Sequence, residues 1–173
     1  TVTAVANGLT IDPTLSFGRE GRVIDLNLNA AMVDAATAAA VVPDESTETT
    51  TLQVTGLGEH AAFYMGDTLI DGVGYDEVTD TYTITGLSQD ALDTLGFVQA
   101  ASALTDQDGG TAGTQVTVTA WTVESATGAA SAPVSDTMTV AVSPVLATTG
   151  SDSFIWDGHA IDGKAGIDTV ALR

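Results

Sequence analysis

Strict alternation of apolar and polar residues is the feature that most constrains this chain. It runs through VIDLNL (23–28), TLQVT (51–55), TYTITG (81–86), QVTVTAWTV (115–123) and TMTVAV (137–142). A period of two sends alternate side chains to opposite faces, and β-branched residues suit a half-buried pleated surface. Gly and Asp gather between these stretches, where turns need them. Short alternating segments without long helices between them predict an all-β fold, an antiparallel β-sandwich. The same pattern places Trp121 in the core beside Val118 and Val123.

Other segments punctuate this pattern. VTGL (54–57) and ITGL (84–87) each end a strand with Gly-Leu, one solution used twice. SQDALDTLGF (88–97) predicts a helical turn capped by Ser88, with Leu92 and Leu95 facing inward. Such a turn bridges two strands across the end of a sandwich. LNAAMVDAATAAAVV (28–42) is Ala-rich and reads as a short helix or a lid, while DGVGYDEVTD (71–80) reads as an exposed hairpin. After SPV (143–145) the chain becomes richer in Gly and Asp. The expected layout is a linker over 1–12, a sandwich over 13–145 and a small C-terminal element over 146–173. The bland opening TVTAVANG reads as a cut from something longer.

Charge narrows the function. Four basic residues face 23 acidic ones, a formal charge of −19. Phosphate-rich partners are repelled, so nucleic acid and anionic membrane surfaces are poor partners, and cations are favoured. No run approaches the roughly 18 apolar residues that a membrane span needs. Cys is absent, which excludes disulfides and thiolate chemistry. PDESTETTT (43–51) sets Asp44, Glu45 and Glu48 close together, with no Lys or Arg between Arg22 and Lys164. Two carboxylates about 4 Å apart repel by about 1 kcal/mol in water and about 4 kcal/mol at a protein-like dielectric. The segment is therefore either a solvated loop or a cation site, and an all-oxygen site suits Ca2+. TDQDGG (105–110) reads as a turn before it reads as a calcium loop.

Nothing points to catalysis. His60 and His159 stand in no paired spacing, and no nucleophile elbow or phosphate-binding loop occurs. The chain is expected not to be an enzyme. Trp156, beside Asp157, either packs the tail or, with bound calcium, reads a sugar.

The order of motifs resembles one family. GREGRVIDLNLNAAMVD, then DESTETTTLQVTGL, DTYTITGLSQDALDTLGF and GTQVTVTAWTVESATGAASAPVSDTMTVAVSPV are similar to an Ig-like domain of giant bacterial RTX adhesins. These are calcium-loaded surface proteins exported by type I secretion. The resemblance covers most of 15–145 and implies an Ig-like sandwich stabilised by Ca2+. It matches Glu20, Asp34, Glu48 and Glu124 to the family's acids, with Asp44 or Glu45 as the middle acid of a loop that carries an Ala-rich insertion. In the tail, Gly163, Gly166, Asp168 and Val170 fit the RTX nonapeptide, and Gly150, Asp152 and Phe154 fit half of it again. The halves lie 16 residues apart, not a multiple of nine, which argues against a regular stacked roll. Asp152 and Asp168 are either ligands or turn formers. The resemblance implies a monomeric module on the bacterial cell surface that spaces or scaffolds a neighbouring ligand-binding domain in adhesion and biofilm formation. The alternative is a calcium-dependent glycan- or peptide-binding module.

Overall fold

The alternating stretches become strands whose inward residues build one core. The computed structural model describes residues 6–33, 48–99 and 113–143, and the backbone alone of 153–156 and 169–172. One sheet has six strands in the order β2 (Ser16–Arg19), β12 (Val134–Ser143), β11 (Thr114–Glu124), β5 (Glu48–Thr55), β9 (Thr81–Leu87), β8 (Gly74–Asp76). The other has four, in the order β3 (Ile24–Asp25), β10 (Leu95–Val98), β6 (Ala62–Met65), β7 (Thr68–Leu69). Neighbours in these two sheets run antiparallel, except that the edge strand β2 pairs parallel to β12. The chain is an all-β sandwich.

Phase decides what is buried. Val116, Val118 and Ala120 of β11 face Leu52 and Val54 of β5, and Tyr82 and Ile84 of β9 continue the layer. Across the interior stand Ile24, Phe63, Leu95 and Phe97 of the smaller sheet, all buried. The Phe63 and Tyr82 rings meet at 5.2 Å between centroids. Ser16 ties the two sheets at one edge: its hydroxyl donates to the Asp25 carbonyl at 2.8 Å and accepts from the Asn27 amide at 3.2 Å.

The Gly-Leu signal holds at both places. Gly56 and Gly86 have φ of +97° and +76°, a region only glycine enters freely, and Leu57 and Leu87 behind them are buried. The helical turn is α1 (Gln89–Asp93), where Ser88 Oγ accepts from the Ala91 amide at 3.2 Å. Leu92 and Leu95 are buried, and the turn carries the chain from the six-stranded sheet to the four-stranded one. Strands β8 and β9 form the expected hairpin, with Val78 at its tip 93% exposed.

Two expectations change, and the tail adds a strand pair. Residues 8–10, read as linker, form β1 (Gly8–Thr10), which pairs with β4 (Ala31–Val33) and buries Leu9. The start of the Ala-rich stretch, read as a helix or lid, is thus extended at 31–33, because β1 offers it a backbone partner; residues 34–42 lie outside the described part. In the tail, β13 (Ser153–Trp156) and β14 (Thr169–Leu172) pair in parallel, Phe154 with Val170. The register offset equals the 16-residue spacing of the two half-motifs, so their apolar positions, 154 and 170, are register partners. A parallel pair needs a crossover of about a dozen residues, and that spacing supplies it.

Candidate functional site

Strand phase creates a polar end to the core. From Val116 onward β11 keeps every even residue inward, which buries Thr122 and Glu124 completely. Their register partners on β5 are Thr50, also fully buried, and Glu48, half-buried. Directly opposed residues of an antiparallel pair share a face, with Cβ atoms about 4.5–5.5 Å apart. Two carboxylates, Glu48 and Glu124, therefore stand side by side at the end of the sandwich, with two threonines beneath them.

The surrounding groups satisfy only some of their oxygens. Glu124 Oε1 accepts from the Ala126 amide at 3.0 Å, within a tight turn closed by Gly128 donating to the Glu124 carbonyl at 2.7 Å. Glu124 Oε2 is buried and has no hydrogen-bond partner among the described residues, and neither has the Thr50 hydroxyl. Glu48 Oε1 accepts from the Asn7 amide at 2.5 Å, and Thr122 Oγ1 donates to the Asn7 carbonyl. Asn7 leads straight into β1, so the N-terminal segment is anchored at this corner. Among the described residues no basic side chain pairs with Glu48 or Glu124. A buried carboxylate oxygen without donor or countercharge costs several kcal/mol and calls for a partner.

The chemistry of the donor set fits a hard cation. Every unsatisfied atom is an oxygen, the site carries two acidic groups, and calcium takes oxygens from carboxylates in flexible geometry. Glu48, Glu124 and the Thr50 hydroxyl would hold the ion. Among the described residues no third carboxylate, imidazole or thiol joins them.

The other expected ligands divide into two groups. Asp34, Asp44, Glu45, Asp152 and Asp168 lie outside the described residues. The chain nevertheless leaves β4 at Val33, paired with Gly8, and re-enters the sheet at Glu48, so both ends of the 34–47 segment sit at this corner. Glu20 is different. It follows β2, whose Arg19 pairs with Ser143, while β11 begins opposite Val140 and runs away to Glu124. At about 3.3 Å per residue the ten steps from Thr114 to Glu124 span roughly 30 Å. Glu20 therefore cannot share an ion with Glu48 and Glu124, because β2 enters the sheet at its opposite end.

Thr50 and Thr122 were not legible as site residues, although counting two residues on from Glu48 and two back from Glu124 would have found them. Trp121 is corrected as well. It lies on the outer face of β11, half-buried, opposite Thr51. Comparison with protein families, curated proteins and solved structures gives no match.

Proposed function

We propose that the chain is a calcium-stabilised structural module of a bacterial surface adhesin. It spaces or scaffolds a neighbouring ligand-binding domain of the same long chain outside the cell. The order of motifs that resembles RTX adhesin domains supports this reading, as does a charge of −19 that favours cations. The single observation that carries it is the fully buried Glu124, whose Oε2 has no partner among the described residues and whose cross-strand neighbour is Glu48.

Bound calcium supplies positive charge at that corner. The protein's part is to hold the oxygens in place. The turn at Ala126 fixes one oxygen of Glu124, and the Asn7 amide fixes one oxygen of Glu48. Asn7 is hydrogen-bonded to both strands, so an ion there ties the incoming chain to the sandwich. A module loaded in this way transmits orientation to its neighbour, as a spacer must.

Calorimetric titration of calcium into chelator-stripped protein tests the site. The expected result is saturable binding that Glu124→Gln weakens most and Glu48→Gln weakens next. Wild-type binding heats that match those of the doubly substituted protein sink the assignment.

A further inference from the structure

The outer face of the large sheet differs from the rest of the molecule. Outward residues of its four inner strands, β12, β11, β5 and β9, include no charged side chain, in a chain with 23 acidic residues. Register lines them up in rows. One row crosses Thr137, Thr117, Thr55 and Thr81. The next crosses Ser135, Thr119, Gln53 and Thr83. Adjacent strands lie about 4.8 Å apart, so each row runs about 14 Å.

The rows are held in place by side-chain hydrogen bonds. Thr55 and Thr81 hydroxyls meet at 2.8 Å, and those of Thr119 and Ser135 at 2.9 Å. Gln115 Nε2 donates to Thr139 Oγ1 at 2.7 Å. A hydroxyl has one donor and two acceptor sites, so each group in a bonded pair keeps capacity for a ligand. Side chains fixed before binding lose little entropy on binding. Trp121 stands half-buried on this same face, flanked along β11 by Thr119 and Val123.

We infer that this face binds a neutral polysaccharide chain. Rows of fixed hydroxyls and amides exchange hydrogen bonds with sugar hydroxyls, and a flat indole stacks on the C–H face of a sugar ring. Charge selects the occupant. Anionic polymers are repelled by the −19 chain, and a cationic one finds no carboxylate among the outward residues of these four strands to hold it. A second copy of the chain fits poorly, because sheet-on-sheet packing interdigitates apolar side chains, whereas these rows are hydroxyls. The twist of the sheet follows a flexible extended polymer better than a rigid flat lattice. This site needs neither Trp156 nor calcium, and it stands apart from the carboxylate corner.

Affinity electrophoresis of the full chain through gels containing hydroxyethylcellulose, soluble starch, dextran or galactomannan tests it, with alginate as the anionic control. The expected result is retardation by at least one neutral polymer and none by alginate, equal in calcium and in chelator. Trp121→Ala and, separately, Thr117→Arg should abolish the retardation, while Trp156→Ala leaves it unchanged. Circular dichroism checks that each variant is folded. Thr117→Arg replaces an outward residue, so it keeps the test open if Trp121→Ala unfolds. No retardation by any neutral polymer overturns the inference. So does retardation that survives both face variants. Concentration-dependent dimerisation abolished by Thr117→Arg would instead assign the face to a second copy of the chain.

Discussion

Replacing Glu124 by Gln should raise stability without calcium and remove most of the stability that calcium adds. Gln keeps the size of the side chain and the acceptor for the Ala126 amide. It removes one of two carboxylates that face each other across β11 and β5. At about 5 Å, two unit charges repel by about 3 kcal/mol at an effective dielectric of 20 and just under 1 kcal/mol in water. Glu124 is fully buried and Glu48 is half-buried, so the relief lies between about 1 and 3 kcal/mol. For a chain of 173 residues, each kcal/mol moves Tm by about 2–4 °C. In chelator the variant should therefore melt roughly 2–12 °C above the wild type. With calcium at about 100 times Kd the wild type gains about 2.7 kcal/mol, which the variant largely forgoes. The order of the two melting temperatures then narrows or reverses. Differential scanning calorimetry of both proteins, at one ionic strength, reads all four values. A variant that melts below the wild type in chelator would refute the repulsion. An equal calcium shift in both proteins would refute Glu124 as a ligand.

Other positions give independent checks. Gly86→Ala places a Cβ in open space but at φ +76°, so it should cost about 1–2 kcal/mol through backbone strain alone. Gly96→Ala should cost more, because its Cβ would lie 2.6 Å from Val23 Cγ1 and 3.0 Å from the Ile24 carbonyl oxygen; urea midpoints at unchanged m rank the two. Burial and a hydrogen bond from its hydroxyl to Asp80 Oδ1 push the Tyr75 phenol up to about 12, from an ordinary value of 10.0. The folded state then holds that proton more tightly than the unfolded state. Stability is full below pH 10.0 and falls as pH rises towards about 12. Tyrosinate absorbance should show a phenol titrating late, and Tyr75→Phe should remove it.

The sequence made the strands legible wherever alternation was long. Five alternating stretches lie in or overlap observed strands, and Ser88 announced its own helical turn. Phase was harder to read. QVTVTAWTV carries two apolar sets, Val116, Val118 and Ala120 on one face and Trp121 and Val123 on the other. Local hydrophobicity favours turning Trp121 inward. A strand cannot change face without a bulge, and β11 pairs with β5 without one from Thr117 to Glu124. The even phase therefore persists, Trp121 faces out, and Thr122 and Glu124 are buried. Short strands were hidden for another reason. Strand β1 has three residues and no pattern of its own, and it exists because β4 offers a partner. Glu20 shows where motif order fails as a guide to proximity. It precedes the first alternating stretch, but parallel pairing of β2 with β12 sets it at the far end from Glu48.

If calcium stabilises this fold, a calorimetric melt of the wild-type chain in calcium and in chelator reads it without any substitution. Ionic strength is held fixed so that screening of the −19 charge is the same in both. The expected Tm is higher in calcium by roughly 5–11 °C at about 100 times Kd, with magnesium giving less. An identical Tm in calcium and chelator would contradict it, leaving Glu48 and Glu124 as an unrelieved carboxylate pair.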